Sequence, residues 1–334
     1  MTGETAGNEI LPWHRGCWDT LRAARDADRL PHALLIAGPA GVGKRRLVSL
    51  FARSLLCQRL DSEGFPCGIC RDCQLLAAGT HPDYLQIGPD EQGKSKEIRV
   101  DTVRRLVDAD ALTASRGVFK VILVDPAQQL NTAAANSLLK TLEEPAPGTL
   151  LFLISEQPGR LPATIRSRCQ VLKVPVPAES VALEWLSGQA AGGVDLALLR
   201  LAQGAPLRAL LLSETGQLAE REKAFSGFAA VGNGVRDPIA EAAAWSHREP
   251  AVVLDWLSSW LSDMLRLTSG HPKPRLDNVD KVDVLRALAE RLEPAEGHRF
   301  LRDILRARKR DHTTLNPLLL YESLLVEWAG IARL

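Results

Sequence analysis

The chain has 334 residues, enough for two or three domains with their own cores, and 46% hydrophobic with 24% charged residues is a globular balance. Forty-one basic against 40 acidic residues leave a formal charge of +1, which excludes a chain that binds nucleic acid by bulk charge alone. No apolar run approaches the eighteen or so residues of a membrane span, and the polar start from Met1 to Glu9 is unlike a signal peptide, so a cytoplasmic protein without a membrane partner is expected.

Four short apolar runs are bounded by Gly, Pro or Asp: Ala33–Ala37, Tyr84–Ile87, Phe119–Val124 and Leu150–Ile154. They read as buried parallel strands, which are covered on both faces and therefore lose polar alternation. Helical patterns between them make an α/β layered domain over residues 1–174. Val174-Pro175-Val176-Pro177 reads as a linker, because proline donates nothing to a sheet ladder and disfavours helix before it. Residues 175–213 read as short amphipathic helices punctuated by Gly188, Gly192-Gly193 and Gly204, and residues 214–334 as a longer all-helical domain. Trp256, Leu257, Trp260, Leu261, Met264 and Leu265 recur at three- and four-residue spacing and predict one core-facing helix stripe.

Gly38-Pro39-Ala40-Gly41-Val42-Gly43-Lys44 follows the first strand and precedes a helix, the setting of a phosphate-binding loop. There Gly38, Gly41 and Gly43 would let backbone N–H groups wrap phosphates, and Lys44 would reach the outer ones. The next residue should be Ser or Thr, whose hydroxyl ligates magnesium. It is Arg45, which has no lone pair to offer and carries charge of the same sign as the metal. The strand ending at Asp125 should be followed by a Glu that polarises the attacking water, and Pro126 stands there instead. Two parts of the hydrolytic machinery are thus missing, so no ATP hydrolysis is predicted, while nucleotide binding stays open.

Cys57, Cys67, Cys70 and Cys73 form C-x9-C-x2-C-x2-C. Four thiolates at such spacing suit a closed tetrahedral zinc site of structural role. The segment Gln58 to Pro66 between them looks too irregular to hold itself. Cys17 and Cys169 are expected to be buried free thiols. His81, in Thr80-His81-Pro82-Asp83, reads as part of a turn before the Tyr84 strand. Lys94, Lys96, Arg99, Arg104, Arg105 and Arg116 read either as a solvated helix face or as a surface facing DNA phosphates.

The run Asn131-Thr-Ala-Ala-Ala-Asn136-Ser-Leu-Leu-Lys140-Thr-Leu-Glu143-Glu144-Pro145 predicts a helix capped by Asn131 and ended by Pro145. It resembles the hallmark helix of AAA+ clamp-loader subunits, and Ile165-Arg166-Ser167-Arg168-Cys169 resembles their Ser-Arg-Cys motif. Gly79-Thr80-His81-Pro82-Asp83, the phosphate loop, the cysteine spacing and Asn316-Pro317-Leu318-Leu319-Leu320 extend the likeness over both ends of the chain.

The resemblance implies a RecA-like AAA+ domain with an inserted zinc module, a helical lid and an all-α collar that oligomerises. It implies a heteropentamer with delta and three gamma or tau motor subunits, within a DNA polymerase holoenzyme, that places a sliding clamp on primer–template DNA. The degraded loop points to a member without ATPase activity of its own. Arg168 would then be an arginine finger acting on a neighbour's ATP, with Arg166 as the runner-up. Ser155 and Glu156 fall where a polar sensor would face phosphate, and a second sensor arginine is displaced by one position to Arg208. The competing readings are an active gamma- or tau-like motor subunit and a zinc-containing DNA-binding module.

Overall fold

The computed structural model describes residues 9–89, 97–107, 114–189, 194–309 and 316–332, with the side chains of 105–107 and 309 excepted. Gly192-Gly193, Lys94 and Lys96 lie outside these, as does the Arg105 side chain. The chain divides into two compact units, residues 1–185 and 186–334.

The first unit is built on a parallel sheet of five strands: β1 (Ala33–Ala37), β2 (Tyr84–Ile87), β3 (Lys120–Val124), β4 (Thr149–Ser155) and β5 (Gln170–Lys173), in the order β2-β3-β4-β1-β5. The three central strands are buried along their whole length, which is why they read as unbroken apolar runs. β5 is an edge strand with a mostly exposed, polar pattern, and the sequence did not announce it. Its register, Leu34 opposite Gln170, is set by pairing with β1.

Six helices flank the strands: α1 (Arg15–Asp26), α2 (Lys44–Leu56), α3 (Arg71–Ala77), α4 (Val100–Val107), α5 (Thr132–Glu143) and α6 (Ala163–Arg166). The Asn131 side chain accepts the Ala134 N–H and so caps α5. Ala134, Ala135, Leu138 and Leu142 bury one face of α5 together with Ile122, Val124, Leu151 and Leu153 of the sheet. Val174 still belongs to the sheet layer: it is buried and donates its N–H to the Ala37 carbonyl, so the chain leaves the sheet only at Pro175.

Helix α7 (Glu179–Gln189) follows, and the second unit carries α8 (Leu196–Leu201), α9 (Pro206–Glu214), α10 (Gln217–Gly232), α11 (Pro238–Trp245), α12 (Pro250–Thr268), α13 (Val282–Ala289), α14 (Pro294–Lys309) and α15 (Pro317–Ile331). No strand occurs among its described residues. The predicted stripe on α12 is core: Leu257, Trp260, Leu261 and Met264 are fully buried, and Trp260 meets Phe225 and Phe228 of α10. Among the described residues no helix is long and apolar enough to cross a membrane.

Candidate nucleotide site and exposed arginine

The phosphate loop joins the C-terminal end of β1 to α2, beside the ends of β3 and β4, where parallel sheets of this kind place their ligands. Gly41 and Gly43 have φ of 76° and 84°, a backbone region that only glycine enters without cost. Gly38 serves another purpose: a Cβ there would collide with the Val174 carbonyl, so its lack of a side chain lets the end of the sheet close against the loop. From behind, the Val42 carbonyl accepts Trp13 Nε1 at 2.9 Å and His14 Nε2 at 2.7 Å. Burial pushes the His14 pKa down to about 4, with the Val42 carbonyl opposing, so the imidazole is neutral and its Nε2 carries the donated proton.

The charged groups of the loop satisfy one another. Lys44 is 5% exposed and donates Nζ to the Pro39 carbonyl at 2.6 Å, while the Glu156 carboxylate lies 3.8 Å away. Burial lowers the Lys44 pKa, and Glu156 and Asp125 oppose that. Arg45 turns its Nε onto the buried Asp125 carboxylate. A guanidinium therefore stands against the carboxylate that a metal would need, and Pro126 follows without a base. Ser155 ends β4 fully buried, and its hydroxyl accepts the Gln157 N–H. Of the two sensor candidates, Glu156 is the one beside Lys44.

Arg168 lies just past α6, between the exposed Ser167 and the buried Cys169, whose thiol packs into the sheet-side core with Ile165 and Leu161. Burial pushes the Cys169 thiol up to about 11. One Arg168 N–H reaches the Thr164 carbonyl at 2.9 Å, and Nη2 lies 2.6 Å from the Glu143 carboxylate. Arg166 is exposed on the same short helix. In the second unit Arg208 pairs with Asp255 of α12 at 3.3 Å, and Asp255 also holds Arg308 at 2.8 Å, so the displaced arginine is engaged within that unit.

Cys57, Cys67, Cys70 and Cys73 come together with their sulfurs within 4.8 Å of one another. The Cys57 sulfur lies 3.6 Å from that of Cys67 and 3.9 Å from that of Cys70. Zinc–sulfur bonds of about 2.3 Å put the corners of a tetrahedron roughly 3.8 Å apart, so the spacing fits. Backbone N–H groups of Ile69 and Cys70 hold the Cys67 thiol down to about 6, while burial pushes the Cys57 and Cys73 thiols up. Cys17 is a buried free thiol, as expected.

The segment between the first two cysteines does hold itself, contrary to the reading of Gln58–Pro66 as irregular. Asp61 accepts the N–H groups of Glu63 and Phe65, Leu60 bridges to Pro66, and Phe65 stacks on Trp18 of α1 at 4.4 Å. His81 is buried in a turn whose Asp83 N–H it accepts, and its Nε2 lies 3.4 Å from Asp72. Arg116, itself exposed, binds the same Asp72 at 2.7 Å. Arg99 and Arg104 are exposed. Sequence reasoning missed Glu143, Trp13, His14 and Asp255, because each acquires its meaning only from a partner remote in sequence.

A family profile described as DNA polymerase III, delta subunit, matches residues 13–178, and one described as DNA polymerase III, delta subunit, C terminal, matches residues 215–330. The DNA polymerase III subunit delta' of Pseudomonas aeruginosa is 39% identical over 332 residues, covering 97% of this chain and 98% of that protein. The subunit of the same name from Escherichia coli K12 is 38% identical over 320 residues, 94% of each chain. The DNA polymerase III subunit tau of Salmonella typhimurium is 38% identical over 141 residues, which span 42% of this chain and 21% of tau. The likeness to subunits called delta' thus runs nearly end to end, and the chain belongs to the DNA polymerase III delta' family of clamp-loader subunits.

Proposed function

We propose that the chain is the non-hydrolysing subunit of the DNA polymerase III clamp loader, helping to load the sliding clamp onto primed DNA and donating Arg168 to the ATP site of a neighbouring motor subunit. Its partners in this reading are gamma or tau motor subunits and delta, with the clamp and primer–template DNA engaged transiently in the cytoplasm. Residues 1–174 act as the AAA+ domain, 175–213 as a lid and 214–334 as a collar.

The pairing of Arg45 with Asp125 carries the reading. Hydrolysis needs a metal between a hydroxyl and that carboxylate and a base to orient water. Here the carboxylate already has a cation, and Pro126 has no base to offer. Gly38, Gly41, Gly43 and Lys44 would cradle a nucleotide's phosphates without turnover. An exposed guanidinium can still serve chemistry elsewhere: charge builds on the transferred phosphoryl, and fingers supplied in trans raise rates by roughly 10³–10⁵. Arg166 is the alternative donor two residues away.

The four cysteines would hold one zinc ion, closing the module with no open coordination position. Steady-state ATPase of the isolated chain tests the reading. No turnover is expected; turnover that Lys44→Ala abolishes would overturn it.

A further inference from the structure

Helix α5 ends in a charge that suits it badly. The C-terminal end of a helix carries negative potential, and Glu143 adds a carboxylate at its last residue. Arg168 meets that carboxylate at 2.6 Å. The second Arg168 contact, to the Thr164 carbonyl at 2.9 Å, is with the backbone of the short helix α6 just before it. Two points of attachment on different elements fix the plane of a guanidinium. A single one leaves it free to turn.

The rest of α5 is rigidly placed. Its buried face packs on the sheet, and its cap at Asn131 lies six residues beyond Asp125, after the short turn Ala127–Gln129. Glu143 therefore stands on a fixed element, whereas Arg168 projects from a turn and is 36% exposed along its side chain. A long side chain loses much rotamer freedom when it binds phosphate, and a partner that already restricts it lowers that cost.

We infer that Glu143 is a positioning residue for Arg168, holding the guanidinium in the orientation from which it reaches a nucleotide triphosphate on a neighbouring subunit. The inference rests on the reading of Arg168 as a finger. Two donors are engaged by Thr164 and Glu143, so N–H groups remain for phosphate. The pair is half exposed, so its effect is that of a surface ion pair. Turnover in the neighbour falls by about two- to fivefold when it is lost.

A double-mutant cycle in the reconstituted complex, read as DNA-stimulated ATP hydrolysis at saturating ATP, is the test. Glu143→Ala is expected to lower the neighbouring motor site's contribution, the part of kcat that Arg168→Ala removes, by about two- to fivefold with KM for ATP unchanged, and Glu143→Gln, which keeps an acceptor, by less. In an Arg168→Ala background Glu143→Ala is expected to add nothing. Zinc content and complex assembly, measured in parallel, report whether each variant folds. Three results overturn the positioning role while sparing the finger: Glu143→Ala without effect beside a crippled Arg168→Ala, an equal loss in both backgrounds, or faster turnover. An Arg168→Ala complex of undiminished rate overturns the finger itself and this inference with it.

Discussion

The guanidinium of Arg45, in the first turn of α2, lies against the carboxylate of Asp125, 80 positions away in sequence and just past the end of β3. One residue thus removes a metal ligand and supplies a replacement cation. Magnesium should therefore leave the affinity of the native chain for a fluorescent ATP analogue unchanged. Arg45→Thr frees Asp125 and should bring a magnesium-dependent gain of roughly tenfold, about 1.4 kcal/mol. Hydrolysis should stay absent, because Pro126 is untouched. Magnesium-dependent binding by the native chain would contradict this.

Metal removal should act on the cysteine module first. About one zinc per chain is expected by elemental analysis. Cys73→Ser should abolish that stoichiometry, since the Cys73 sulfur is buried and serine gives no thiolate in its place. Metal content that stays at one per chain in Cys73→Ser would show that this thiol is not a ligand.

His14 ties stability to pH. Its folded pKa is depressed to about 4 by burial, while an unfolded histidine titrates near 6.5. Between those values only the unfolded chain takes up the proton, so stability is full above about 6.5 and falls as the pH drops through that window. From pH 7 to pH 5 the loss from this group is about 2 kcal/mol. His14→Gln should flatten that slope in urea denaturation. Equal slopes in both proteins would remove His14 from the account.

In the second unit Asp263 is fully buried on α12. It accepts the backbone N–H groups of Asp277 at 2.9 Å and Asn278 at 2.7 Å and pairs with Arg266 at 2.8 Å. Asp263→Ala strands the buried Asn278 N–H and the half-buried Asp277 N–H and should cost about 2–4 kcal/mol in chemical denaturation. An unchanged denaturation midpoint would contradict the role given to this carboxylate.

The central sheet was legible because burial on both faces leaves an apolar run in the sequence. Ala33–Ala37 forms a fully buried strand with the predicted ends. Tyr84–Ile87 has the predicted ends too, but in place of the expected burial it is the other edge strand, with only Ile87 buried. β5 escaped notice because an edge strand keeps polar residues on its open side: Gln170 and Lys173 carry no strand signal without knowledge of β1. The loss of the magnesium hydroxyl at Arg45 was readable from one position, since it breaks a local rule. What Arg45 does instead was not, because Asp125 reaches it only through the fold. Glu143 shows the same limit. It sat inside the run that carried the family likeness, but its partner Arg168 is set by how α5 and α6 meet. The placement of Arg208 against Asp255 was half readable: helical geometry turned it from the expected side, and only packing supplied the acid it found.

The most direct test of the account is ATP hydrolysis by the reconstituted complex carrying Arg168→Ala in this chain alone, with motor subunits, clamp and primed DNA supplied intact. A fall of roughly 10³-fold or more is expected at the one motor site that neighbours this chain, seen as a loss of that site's share of total turnover and of clamp loading. Turnover and loading at the native level would contradict it.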